Sequence, residues 1–459
     1  MHSLKLFGSG KIARVIAVIA LVVTGTAAGS RRAAQASAPV TVTIWSWRSQ
    51  DAPMWQQVQS ILRKRGENIR IDFTSKIATE YDAALQTAMT GGKGPDIFYG
   101  RAGAGTVNYA AAHLIAPLNG KVNFADVSRS ALVESAAYKG KYYGVPFALQ
   151  TVAFFYNKAI FSKYHLSPPS TWEDFLRICA TLKKNGVIPL YVMGLAQQWM
   201  LTLSIDIIGA STVSDAWTRD LVARKVDYTS APYVETLTKF HDLVPYFEHN
   251  YTAVGSAGNE QEEALGLGRA AMIFDGIWAV PSILQYNKNL QLGEFLAPPS
   301  SEATISKLPG PSKYWSRKAQ VFWYVDGDFA LNSHIASKAE AAAALKVIQF
   351  TATPQFGRLF TDIAGEISPI RGVTIPSKYP LSVQAYHQFQ TDRIDPTFDI
   401  RSPMDTPPPA PMTAKKTASR DMGIFSAVQA VVTPLITNKM SPTQAADKIQ
   451  KDLSWYFKK

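Results

Sequence analysis

One cysteine, Cys179, in 459 residues excludes an intrachain disulfide framework and any thiolate-built zinc or iron–sulfur site. The seven histidines are scattered, with no i, i+4 pair, so a histidine-based metal site is not expected. There is no Walker loop, no H-E-x-x-H and no G-x-S-x-G. Beyond the first residues there is also no G-x-G-x-x-G after a strand. These absences lean away from an enzyme and toward binding, and no cofactor is expected. No block of five or six like charges occurs, so nucleic acid is not an expected partner. Past the N-terminal region no run is long and apolar enough to span a membrane. What remains is an ordinary globular composition, 47% hydrophobic and 18% charged, which argues against a wholly disordered chain. The length suggests two or three domains, or one large two-lobed body.

The formal charge is +12, and part of it lies at the start. Lys5, Lys11 and Arg14 precede an apolar run at 15–23, and Ala34-Gln35-Ala36-Ser37 follows. Basic region, short apolar core and A-x-A site are the order of a cleaved signal peptide, here residues 1–36. The core is shorter than the ~20 apolar residues of a membrane span. No cysteine stands near the cleavage point, so no lipid anchor is expected. Arg31-Arg32 follows the apolar core, so it is not a twin-arginine signal. The expected product is soluble, monomeric and extracytoplasmic, beginning near Ser37.

Residues 40–45 alternate apolar and polar, as a strand does. Met54, Trp55, Val58, Ile61 and Leu62 recur at helical spacing, and Ile69, Ile71 and Phe73 alternate again. Tyr81, Leu85, Ala88 and Met89 make a second helical face, and 95–99 reads as a third strand. This β-α-β-α-β order predicts an α/β domain with a mainly parallel sheet. Ligands bind such sheets at the carboxyl ends of the strands, which points to the loops after Trp45, Phe73 and Tyr99.

Residues 138–157 predict a tight hairpin at 139–141 and then a long extended segment able to cross between lobes. Thr171 with Asp174 fits a capping box ahead of a helix whose apolar face holds Trp172, Phe175, Leu176, Cys179 and Leu182. Cys179 is expected to be a buried, inert thiol. Helices are expected at 232–249, 260–267, 336–350 and 443–455, and a strand at 321–331. Residues 297–318 read as a loop or second crossing, and the proline-rich stretch 396–411 as an irregular connection.

Asp326 and Asp328 are i, i+2 on a predicted strand and could share a face. A hydrogen-bonding role fits them better than an acid/base pair. Aromatic residues make up 11% of the chain. Sugar rings present apolar C–H faces and polar rims, so sugar sites stack aromatics on the faces and aim polar groups at the hydroxyls. Trp45 and Trp47 flank the end of the first strand, where Trp47 and Arg48 can reach a cleft. Trp278 follows the Asp275-Gly276 turn. For each of these tryptophans, packing into the core is the alternative.

The chain resembles the bacterial extracellular solute-binding proteins of the carbohydrate class, the family that includes the maltose-binding protein. The matching stretches are Val-Thr-Ile-Trp-Ser-Trp (42–47), Gly-Lys-Gly-Pro-Asp-Ile (92–97) and Gly-Lys-Tyr-Tyr-Gly-Val-Pro (140–146). They continue with Phe-Tyr-Asn-Lys-Ala-Ile-Phe (155–161), Pro-Pro-Ser-Thr-Trp-Glu-Asp-Phe (168–175), Gly-Arg-Ala-Ala-Met-Ile-Phe-Asp-Gly-Ile-Trp (268–278) and Ser-Pro-Thr-Gln-Ala-Ala (441–446). The resemblance implies the two-lobed α/β fold of periplasmic binding proteins, with ligand in the cleft between the lobes. The N-lobe would comprise 37–148 and 301–395, the C-lobe 149–300 and 396–459. The implied crossings are ~146–153, 297–320 and 390–411. Implied partners are a carbohydrate and the membrane permease subunits of an ABC importer.

The ligand contacts that the resemblance implies are Trp47, Arg48, Glu80, Tyr81, Arg101, Trp199, Trp278, Asp326 and Arg371. The acidic residue that sugar binders often place after the first strand has Asp51 as its nearest candidate. Two other readings remain open. Arg48, Arg101 and Arg371 gathered at one cleft would favour a polyol phosphate, because guanidinium forks bind phosphate bidentately. Two carboxylates ~5–9.5 Å apart across a cleft would indicate a glycosidase or lyase.

Overall fold

The alternating run at 40–45 forms strand β1 (Val40–Ser46), with Val42 and Ile44 fully buried. The computed structural model describes residues 38–252, 259–320, 323–375 and 423–458. The leader with its cleavage site and the proline-rich connection at 396–411 lie outside the described residues. Helix α1 (Ala52–Lys64) buries Met54, Trp55, Val58 and Leu62, the face its spacing predicts. Strand β2 (Ile69–Ser75), helix α2 (Ala78–Thr90) and strand β3 (Ile97–Arg101) complete the β-α-β-α-β unit, with β1 parallel to both neighbours. Helix α3 (Ala104–Ala111) follows. The predicted hairpin is β4 (Ala137–Tyr138) with β5 (Lys141–Tyr142). Its turn places Lys139 and Gly140 at φ of 46° and 76°, the left-handed region that two-residue hairpin turns require.

The long extended segment is β6 (Gly144–Asn157), buried along its whole length. With β7 (Ile188–Tyr191), β8 (Ala270–Gly276), β9 (Leu292–Phe295) and β10 (Trp323–Leu331) it builds a sheet of order β2-β1-β3-β10-β6-β8-β7, with β9 also on β6. The partners of β6 change midway. Gly144 to Thr151 pair with β10, and Val152 to Tyr156 pair with β8. The core divides at the same place. Phe147 and Ala148 pack with Val42, Trp55, Tyr99 and Phe329. Val152 and Phe154 pack with Phe175, Trp217, Tyr233 and Leu435. The two lobes therefore share β6. A small cluster of Ala131, Leu149, Ile277, Val325, Ile367 and Ile375 lies at the junction.

Three expectations need correction. The 297–320 stretch is not a crossing through to its end, because Tyr314 is buried in the second-lobe cluster and its carbonyl accepts from the Ser214 amide at 2.9 Å, while β10 pairs with β3 of the first lobe. The 301 boundary moves to beyond Tyr314 accordingly. The helix expected at 232–249 runs Ala231–Leu243 and gives way to a tight turn at Val244–Tyr246, where Pro245 has no amide to continue the ladder. Asp326 and Asp328 do not share a face of the ladder as i, i+2 residues would, since a register shift lies between Val325 and Gly327 and leaves Asp326 outside the ladder.

Cys179 is fully buried, and burial pushes its thiol up. Among the described residues no helix is long and apolar enough to cross a membrane, and no group of three or more His, Cys, Asp or Glu could hold a metal.

Candidate functional site

The carboxyl ends of β1 and β3 lie beside the start of β10, with Arg101 opposite Gly327. This end of the first lobe carries Trp47, Arg48, Arg101 and Asp326. In the second lobe β7 and β8 run parallel, so their carboxyl ends also lie side by side. Trp199 follows β7 in the helix Gln198–Ala210, and Trp278 follows β8 in the turn Ile277–Ala279. Their rings stand 6.3 Å apart at 37°. Both are half-buried, and the Trp199 Nε1 donates to Gln197 Oε1 at 2.5 Å. Ile277, the neighbour of Trp278, packs into the junction cluster with Leu149 and Val325. Trp278 therefore follows directly on a residue of the junction cluster, while its ring packs with second-lobe residues.

Trp47 is half-buried against Tyr81, Tyr99 and Phe147, with ring centroids at 5.3, 5.7 and 6.1 Å. Arg101 covers it with its Cζ 3.7 Å from the ring centroid. Trp45 is half-buried too, with the Lys76 ammonium 3.9 Å from its ring centroid. An open hollow of about 730 Å³ between Trp45 and the Ala83, Thr87 and Ala88 side of α2 includes none of the nine candidates.

Arg48 is not a free cleft group. It is buried, and its Nε bonds Asp51 Oδ2 at 2.9 Å. Its Nη1 reaches Asp326 Oδ2 at 3.1 Å and its Nη2 reaches Glu366 Oε1 at 2.5 Å. Asp51 also accepts from the Tyr99 hydroxyl at 2.8 Å, and Glu366 accepts from the Gln150 amide on the crossing strand β6. A guanidinium spent on three carboxylates has no fork left for a ligand. Asp326 keeps 14% of its side-chain surface exposed, which makes it the member of this network that a ligand can reach.

Tyr81 is likewise corrected. It is fully buried, and its hydroxyl donates to the carbonyls of Tyr99 at 2.8 Å and Trp45 at 3.2 Å. Glu80 is exposed in the first turn of α2. Arg371 is exposed, with its guanidinium on the Ala125 carbonyl and its amide on the Asp126 carbonyl at 2.7 Å. The three arginines of the phosphate reading therefore have separate engagements, Arg48 and Arg101 with carboxylates and Arg371 with backbone.

Sequence reasoning missed Glu366 and Gln150, which share no local motif with Arg48. Burial and the neighbouring Asp51 and Asp326 charges push the Glu366 carboxyl up to about 7, against the pull of Arg48. The native state then binds a proton that an unfolded glutamate releases above its ordinary range. The stabilisation from this group is complete at low pH and is lost as pH rises through about 7. Glu366→Gln is expected to lessen the fall in unfolding free energy between pH 5 and 7.5, measured by urea denaturation beside the wild type. An unchanged slope would show Glu366 to be ionised throughout. Burial also raises the carboxyls of Asp275 and Glu262 in the second lobe, and the charge of Asp275 raises Glu262 further. Gln261 Nε2 donates to Asp275 Oδ2 at 2.5 Å.

The profile of the bacterial extracellular solute-binding proteins matches residues 49–356, more than half of the chain. A maltotriose-binding protein of Pyrococcus abyssi is 26% identical over 252 residues, 53% of this chain and 50% of that protein. A multiple sugar-binding protein of Streptococcus mutans is 22% identical, over 52% of this chain and 54% of that one. The chain thus spans about half the length of the curated relatives it matches. Among solved structures, a chitin oligosaccharide binding protein superposes with a TM-score of 0.71 at 21% identity, covering 91% of this chain and 98% of that one. RafE in complex with raffinose superposes with a TM-score of 0.67 at 16% identity, covering 91% and 100%. At these identities the likeness shows the fold, and the two lobes joined along β6 are that fold. With the profile match over most of both lobes, the chain belongs to the bacterial extracellular solute-binding proteins.

Proposed function

We propose that this protein binds a sugar or oligosaccharide outside the cytoplasm and delivers it to the permease subunits of an ABC importer. The observation that carries the reading is the placement of aromatic platforms on both lobes. Trp199 and Trp278 stand at the carboxyl ends of β7 and β8, and Trp47 stands at the carboxyl end of β1. Asp326, the most exposed carboxylate of the Arg48 network, supplies an acceptor for hydroxyls. Stacking on apolar sugar faces with a carboxylate at the rim is the chemistry such a set performs. The sugar-binding names of the relatives support it. Ligand touching both lobes shifts the molecule toward a closed state by its greater affinity for that state. The protein acts as a monomer released from a cleaved, unlipidated leader. It returns its ligand unchanged, since Asp51, Glu366 and Asp275 are buried and engaged rather than open to a substrate.

The test is a thermal-shift screen with maltotriose, raffinose, chitin oligosaccharides and a polyol phosphate. Only the folded state binds, so ligand at a hundred times Kd adds about 2.7 kcal/mol. A rise in Tm with a glycan at millimolar concentration is expected. No shift with any glycan beside a shift with the polyol phosphate would replace the sugar reading.

A further inference from the structure

We propose that Arg101 is a built-in occupant of the Trp47 platform, a side chain that a sugar ring must displace before it can stack there. The inference rests on the sugar-binding reading and deepens it. The Arg101 Cζ lies 3.7 Å from the Trp47 ring centroid. That is van der Waals contact, and the C–H face of a pyranose needs the same ~3.5–4.0 Å from the indole. The guanidinium and the sugar cannot share that face. A guanidinium is flat and stacks on aromatics as a sugar face does, so it fills the place a ligand would take.

The local structure holds the arginine there without locking it. Arg101 is the last residue of β3, and the helix that follows approaches it closely at Gly105. A Cβ on Gly105 would stand 2.5 Å from the Arg101 Cβ and 3.5 Å from its Cγ. The glycine leaves the space that the arginine stem needs. On the far side the Arg101 Nε faces Asp82 Oδ1 at 3.5 Å, with 37% and 62% of the two side chains exposed. A pair this exposed is weak, so the guanidinium can leave when something better arrives. Arg101 thereby sets the selectivity of the site. A ligand without an apolar face to offer Trp47 gains nothing by displacing it.

The experiment is calorimetric titration of maltotriose and raffinose into wild type, Arg101→Ala, Arg101→Lys and Asp82→Asn. An exposed cation–π contact is weak enough that removing the competitor should tighten binding about two- to fivefold in Arg101→Ala. Arg101→Lys should fall between, because it keeps the charge and loses the flat face. Asp82→Asn should tighten binding by no more than about twofold. Acrylamide quenching without ligand gives a second reading, with Trp47→Phe subtracted to isolate the Trp47 signal. Arg101→Ala should leave Trp47 more accessible. Weaker or unchanged affinity in Arg101→Ala overturns the proposal and makes Arg101 a ligand contact or a bystander. If neither glycan binds wild type or any variant, the sugar-binding reading fails and this proposal falls with it.

Discussion

Arg48→Met is expected to lower the unfolding free energy by about 3–5 kcal/mol at pH 8, the usual cost of stranding a buried charge, and by clearly less at pH 5. Arg48 is the cation that holds Asp51, Asp326 and Glu366. Methionine keeps much of the side-chain volume, so the loss is electrostatic rather than a cavity. With Arg48 present, Glu366 already sits near 7. Without it the Glu366 carboxyl moves higher still, because desolvation and repulsion by its neighbours act unopposed. Between the ordinary glutamate pKa of the unfolded chain and that raised value, the native state holds a proton that the unfolded state has lost. Stability therefore falls as pH rises through that window, and more steeply than in the wild type. At pH 5 protonation of Glu366 relieves part of the repulsion. Urea unfolding at both pH values checks this. A loss below about 1 kcal/mol at both pH values would mean that water reaches the network and screens it. Arg48→Lys keeps one charge but lacks the fork that reaches three carboxylates, so it should lie between.

The same residue shows where sequence reasoning stops. Arg48 follows a strand and a tryptophan, which makes it look ready for a cleft. Its partners Asp326 and Glu366 stand 278 and 318 positions further on, and no local pattern announces them. The residue order did reveal β1 to β3, the hairpin at 139–141 and the long crossing of β6, since each rests on alternation or turn chemistry within a few residues. Tyr81 is the instructive case. Its helical spacing with Leu85, Ala88 and Met89 already places it on the buried face of α2, while the family resemblance assigns it to the ligand. The periodicity matches the structure, because a fully buried tyrosine must spend its hydroxyl on carbonyls. The helix Gln198–Ala210 went unrecognised for the opposite reason. Met200 to Gly209 are all buried, and a helix covered on every side has no amphipathic period to read. The bulge that separates Asp326 from Asp328 falls at Gly327, an isolated strand glycine of the kind that marks a bulge or a close backbone approach.

Trp278→Ala is expected to weaken glycan binding at least tenfold, since a stacked aromatic contributes on the order of 1 kcal/mol beyond its buried area and each 1.4 kcal/mol is tenfold in affinity. The sequence alone suggests that this change should cost little stability. The structure revises that part. Trp278 is half-buried and packs against two second-lobe clusters, so truncation should also cost roughly 1–2 kcal/mol, below the 3–5 of a fully buried tryptophan. Gly276 allows position to be tested apart from presence. A Cβ there would stand 1.9 Å from the Trp278 Cζ3, while its φ of −91° and ψ of 168° suit any residue. Gly276→Ala must therefore push the indole aside without straining its own backbone. If stacking is the role, both variants lose affinity, and Gly276→Ala loses it with the tryptophan still in the chain. Calorimetric titration beside denaturant unfolding of each variant separates the roles. Preserved affinity in both, with a large drop in unfolding midpoint for Trp278→Ala, would return Trp278 to the core and leave Trp199 and Trp47 to stack the sugar.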